Sequence, residues 1–259
     1  MSILCYTVAA TLDPNQLSTT GAQDGHLSAI LKLDHPDAQA QVYSELVANR
    51  LAMFLGLPIA IGVPAKETGD TEIMRFASLL AHESDKDFYD FTKSDDRAID
   101  APDDAPDGIF DEVGHVKELL QLSKIYPKEL SFLAVFDLWI GNEDRPLNFK
   151  AELSKEDRGI IFAVDHGSSL LACRSNVDKS LDLLLSNEFP NFHPFQKLVN
   201  PVFVGQMIER ISTMPDWAIE AATIYNDIIG NVTIDYQYAL YEVLILRKKA
   251  LNDLTKSLF

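Results

Sequence analysis

The chain has 259 residues, 47% of them hydrophobic and 24% charged, and a net charge of −17. That apolar fraction excludes wholesale disorder, and the length suffices to bury a core without disulfide or metal staples. The charge excludes a general DNA or RNA binder and a binder of anionic membranes, both of which need cations. Cys5 and Cys173 make neither a CxxC pair nor a disulfide framework, so a reducing compartment is expected. The first ten residues lack the basic segment of a secretory signal. Residues 51–65 form the longest uncharged stretch, too short for a membrane span of about 20 residues and broken by Gly56, Pro58 and Pro64. A cytoplasmic chain is expected.

Residues 3–12 are β-rich. Over residues 27–34, Leu27, Ala29, Leu31 and Leu33 alternate with Ser28, Ile30, Lys32 and Asp34, which predicts a half-buried strand. Residues 38–55 read as a helix with Tyr43, Leu46, Val47, Leu51, Phe54 and Leu55 on one face and Gly56 as its stop. Residues 72–81 suit a strand. Residues 83–112 then carry a net −9, with Pro102, Pro106 and Gly108, and read as a solvated connector or a docking surface for a basic partner. Beyond them Phe132, Val135, Phe136, Trp139 and Ile140 follow helical spacing, so residues 129–140 are a buried helix ended by Gly141. Residues 148–153 and 160–165 suit two strands around a turn at 154–159. Residues 202–211, 217–229 and 236–258 read as helices. The whole is an α+β chain with a small β-rich front, a larger helical back and a cleft between two lobes.

The informative stretch is Gly141-Asn142-Glu143-Asp144-Arg145-Pro146-Leu147-Asn148, followed by Val164-Asp165-His166-Gly167. A symmetric hairpin turn sets Leu153 opposite Ile160, and therefore Asn148 opposite Asp165. Such partners have Cα atoms about 4.5–5.5 Å apart. An amide oxygen and a carboxylate could then share one hard cation, with Asp144 nearby. Phosphoryl transfer needs this set: two groups that hold Mg²⁺ against phosphates, and a carboxylate that orients the attacking hydroxyl. Asn148 and Asp165 are the candidate metal ligands and Asp144 the candidate base. Asp137, inside the buried helix, is placed to brace the loop.

These motifs resemble those of the HipA-like kinases, compact kinase domains distantly related to the phosphatidylinositol 3- and 4-kinases. That family carries an I-G-N-x-D-R loop ending in Asn and an I-D-x-G metal motif, here residues 140–148 and 164–167. The resemblance extends to residues 44–52 and 55–58, to Met214-Pro215-Asp216-Trp217 and to the late helix with Arg247. It implies a two-lobed protein-kinase-like fold, with an N-lobe at 1–82, the acidic connector at 83–112 and a C-lobe at 113–259. It implies an ATP- and Mg²⁺-dependent kinase acting on a Ser or Thr hydroxyl of a protein substrate, with a cognate regulatory or antitoxin protein as a further partner. Lys32 and Glu45 would then fix the nucleotide. The hydroxyl-rich loop with Ser18, Thr19, Thr20 and Gly21 would cover its phosphates and could itself be phosphorylated. Two departures stand out: Pro146 replaces a His common in the family, and Asn148 follows Asp144 by four residues where many relatives have five. They motivate the alternative of a kinase-shaped binding protein without catalysis. A small-molecule kinase acting on a sugar, an antibiotic or a lipid head group is a third reading, in which the acidic segment would suit a cationic acceptor and repel an anionic lipid.

Overall fold

The computed structural model describes residues 6–11, 23–36, 40–67, 69, 73–79, 88–90, 116–142, 144–145, 148–153, 161–186 and 193–259. Strands β1 (Tyr6–Thr11) and β2 (Gln23–Leu27) form an antiparallel pair. A three-stranded antiparallel sheet follows, in the order β3 (Ala29–Lys32), β5 (Arg75–Leu79), β4 (Gly62–Ala65). Helix α1 (Gln41–Leu55) packs on β4 and β5. It begins three residues later than predicted, with the Val42 N–H donating to Asp34 Oδ1 at 2.8 Å, and ends at Gly56 with φ 68° as predicted.

The exposure of β3 differs from expectation. Leu31 is 53% exposed and Leu33 47%. Side chains alternate along a strand, and Lys32 is the one that reaches α1, at Glu45. Leu31 and Leu33 therefore face away from the helix.

The second half is mainly helical. α2 (Val116–Ile125) leads into α3 (Pro127–Ile140), which has Pro127 in its first turn and Gly141 at its end. α3 is the central helix, buried on every side from Leu130 to Ile140, and packs on α2, α5 (Pro201–Thr213) and α7 (Ile234–Lys249). A 3-10 turn at Leu170–Ala172 and α4 (Val177–Ser186) lie between. The carbonyls that end α3 and α4 are satisfied from α7. Buried Arg247 donates to Leu138 O, Trp139 O and Leu184 O, and burial lowers its pKa to about 10.

Two helices are shorter than predicted. The helix expected over 217–229 is α6 (Asp216–Thr223). Gln237 on α7 accepts from the Tyr225 N–H and donates to Asp227 O, which holds residues 225–227 out of a helix. The helix expected over 236–258 breaks at Ala250 into α7, α8 (Leu251–Leu254) and a 3-10 turn.

A second three-stranded sheet has the order β6 (Phe88–Asp90), β7 (Phe149–Glu152), β8 (Ile161–Ala163). Three residues of the acidic segment thus form an edge strand. The segment joining α1 to β4 docks on the same sheet: Ala60 N donates to Ala163 O at 3.0 Å and Ala163 N to Pro58 O at 2.8 Å. Among the described residues no helix is long and apolar enough to cross a membrane.

Candidate functional site

The β7–β8 register corrects the sequence-based expectation. Phe149 pairs with Ala163 and Ala151 with Ile161, each pair setting a large buried side chain against a small one. Asn148 is therefore opposite Val164, whose N–H donates to Asn148 O at 3.0 Å, and not opposite Asp165. Asp165 lies beyond the last pair, with φ 53°, a left-handed conformation that Asp tolerates better than most residues. That conformation, rather than strand pairing, aims its carboxylate.

Lys32 Nζ from β3 lies 2.5 Å from Glu45 Oε1 on α1 and 2.8 Å from Asp165 Oδ1. The other Glu45 oxygen accepts the His166 N–H at 3.0 Å. One helix residue therefore ties the strand to the turn after β8. Burial alone would lower the Lys32 pKa, but Glu45 and Asp165 outweigh it and raise it. Burial alone would raise Asp165, but Lys32 outweighs it and holds the carboxylate below its ordinary value. Lys32, Glu45, Asp144, Asp165, Gly167 and Ser168 line one cavity of ≈ 310 Å³. The Asp165 side chain is 43% exposed there. Across it Ser168 Oγ lies 3.5 Å from Asp144 Oδ2, and burial raises the Asp144 pKa.

The loop carrying Asp144 is held from beneath. Asp144 N–H donates to Asn142 Oδ1 at 3.1 Å, and Asn142 Nδ2 to Asp137 Oδ1 at 2.9 Å. Asp137 and Arg145, both wholly buried, form a bidentate pair at 2.7 and 2.9 Å. Burial would raise the Asp137 pKa, but Arg145 outweighs it and holds the carboxylate well below the usual range. Arg145 Nη1 then donates to Asn148 O at 2.6 Å and Val164 O at 3.1 Å, closing the open end of the hairpin. The brace expected of Asp137 is thus present, while the clamp by Arg145 is an addition to the sequence reading. His166 is buried, with its ring edge-on to Phe136 and its pKa lowered by burial to about 3, so it is neutral and shapes the turn.

Four of the sequence candidates, Lys32, Glu45, Asp144 and Asp165, meet at the cavity. Asn148 joins them through Asp144, donating Nδ2 to Asp144 O at 2.6 Å, which leaves Oδ1 as its atom for a cation. Phe149, the residue one further on, is buried against Phe195 and belongs to the core. Ser18, Thr19, Thr20 and Gly21 lie outside the described residues. The candidate ligands Asn148 and Asp165 offer oxygen alone, which fits Mg²⁺. Among the described residues no three His, Cys, Asp or Glu side chains are grouped to hold a metal ion by themselves. Mg²⁺ keeps several waters and binds through one or two carboxylates plus substrate phosphates, so the set fits a phosphate-bound ion.

No family model matches the chain, and no curated protein matches it. Among solved structures it is similar to the Helicobacter pylori proinflammatory kinase CtkA, with a TM-score of 0.58 and 15% identity over 99% of this chain and 96% of that one. It also matches a chain of the Shewanella oneidensis MR-1 toxin–antitoxin complex of HipA, HipB and operator DNA. There the TM-score is 0.49 and identity 12%, over 95% of this chain and 67% of the other. The chain has a two-lobed kinase-like α+β fold.

Proposed function

We propose that the chain is an ATP- and Mg²⁺-dependent kinase that phosphorylates a Ser or Thr hydroxyl of a protein. The observation that carries this reading is Lys32, set between Glu45 and Asp165 at a cavity shared with Asp144. An ammonium has three donors, and two are directed at these carboxylates, so a third remains for a phosphate oxygen. Glu45 fixes the ammonium, and the His166 N–H fixes Glu45. Asp165 and Asn148 would hold Mg²⁺, which when bound neutralises phosphate charge. Asp144 orients the acceptor hydroxyl and takes its proton at the carboxylate. Ser18, Thr19, Thr20 and Gly21 would cover the phosphates. In this reading residues 1–82 and 113–259 are the lobes and 83–112 join them in a cytoplasmic enzyme. The protein acceptor and a cognate antitoxin-like partner rest on the sequence resemblance.

The test is Asp165→Asn, because Asn tolerates the left-handed backbone that Ala would strain. Transfer from radiolabelled ATP to a generic protein acceptor or to the chain itself should fall about 100-fold or more, with circular dichroism unchanged. Transfer at the parental rate in Asp165→Asn would overturn the assignment.

A further inference from the structure

We propose that His193 is a positioning residue for this site, acting through Asp137 and Arg145 on the loop that carries Asp144 and Asn148. The role for phosphoryl transfer rests on the kinase reading; the mechanical linkage stands on geometry alone. His193 is 3% exposed and lies 56 residues from Asp137 in sequence. The Phe195 N–H points at His193 Nδ1 at 3.2 Å, so Nδ1 accepts and the ring proton is on Nε2. Nε2 then donates to Asp137 Oδ2 at 3.2 Å.

Asp137 thereby accepts four hydrogen bonds: two from Arg145, one from Asn142 and one from His193. The Arg145 bonds fix the carboxylate against the guanidinium, which itself belongs to the loop. Asn142 holds Oδ1 from the loop itself. His193 is the donor that comes from outside the loop, and it fixes Oδ2 to the segment before α5. Each step onward is a direct contact. Arg145 carries the position of Asp137 to the carbonyl of Asn148, itself a proposed metal ligand, and to that of Val164, the residue before Asp165. Asn142 carries it to the Asp144 N–H. The same segment presses on β7 by a second route, with His193 edge-on to Phe195 at 5.1 Å and Phe195 edge-on to Phe149 at 5.4 Å. His193 does not line the cavity and touches no reacting atom. Outer groups of this kind set the geometry of the groups that act.

The experiment compares the parent with His193→Ala and His193→Gln, since Gln keeps an N–H donor for Asp137 but loses the ring. Hydrogen exchange is read at the amides of Asn148 and Val164, with α3 and α7 as internal reference, and kcat and KM for ATP are measured. In His193→Ala the two loop amides should exchange about tenfold faster or more while the helices stay protected. kcat should fall by a similar factor with KM for ATP within about twofold, and Gln should recover most of both. Parental exchange and kcat in the Ala variant overturn the proposal, as does an equal loss of protection in the helices, which marks a merely structural role. If His193→Ala fails to fold, His193→Gln decides: near-parental values support the proposal and a tenfold loss overturns it. If the parent itself transfers no phosphate, the kinase reading fails, and exchange still decides whether His193 holds the loop.

Discussion

Asp137 and Arg145 are wholly buried charges, and they survive burial because each polar atom finds a partner. Removing one charge strands the other, which costs about 3–5 kcal/mol. Asp137→Asn should therefore lower the urea midpoint strongly at pH 7. The pH dependence has a definite sign. The folded Asp137 pKa is held below its unfolded value by Arg145, so its contribution is complete above the unfolded value of about 3.9 and is lost as pH falls below that toward the folded value. The stability gap between parent and Asp137→Asn should be widest near neutrality and shrink in acid, and a gap that widens in acid would refute the account. At this scale Asp144 and Asp165 were legible from two short motifs, while Lys32, on the alternating strand, and Glu45, on the next helix, came to notice as a pair through the family resemblance. The partners of Asp137 were not. Arg145 reaches back one helix end, and His193 comes from a distant segment, so neither contact has a local pattern in the sequence.

Strand and helix identities were legible where burial is one-sided or complete, as in α1 and α3, and where a glycine marks the stop. Lengths failed where a distant side chain intervenes, as Gln237 does in ending α6. The hairpin was found but its register was displaced by one residue. Counting from an assumed symmetric turn cannot see the buried pairs Phe149–Ala163 and Ala151–Ile161 that set it. The glycines of two elements separate backbone from packing. At Gly56, φ 68°, an added Cβ meets nothing nearer than Arg210 Nη1 at 3.8 Å, so Gly56→Ala should cost only the left-handed penalty, about 1–2 kcal/mol. At Gly62 the added Cβ would lie 2.0 Å from the buried Phe76 ring. Gly62→Ala should cost about 1–3 kcal/mol by overpacking, and Gly62→Ala with Phe76→Leu should recover part of it. Thermal melts of the variants measure both. Lack of coupling between the Gly62 and Phe76 changes would show that the Phe76 ring does not pack over Gly62 as described.

The molecule as a whole joins a small sheet to a helical body, and the charged contacts across the cavity run through Lys32. The sheet contributes the ammonium, α1 the glutamate, and the turn after β8 the aspartate. A ligand that brings phosphate and Mg²⁺ to this place would engage all three elements, and it would bind the folded state alone. Mass action then stabilises the fold by about 2.7 kcal/mol at a ligand concentration 100 times Kd. For a chain of this size each kcal/mol moves the melting temperature by about 2–4 °C, so Mg·ATP should raise it by about 5–10 °C. Three variants divide the roles. Lys32→Met and Asp165→Asn should lose most of the shift, because they remove the proposed phosphate-binding cation and a proposed metal ligand. Asp144→Asn should keep the shift yet lose transfer, because its proposed role is on the acceptor hydroxyl and not on the nucleotide. A shift that Lys32→Met and Asp165→Asn leave intact would place the nucleotide elsewhere on the surface. A parental shift with no transfer would identify a kinase-shaped binder, in which Pro146 and the four-residue step from Asp144 to Asn148 become the first positions to change.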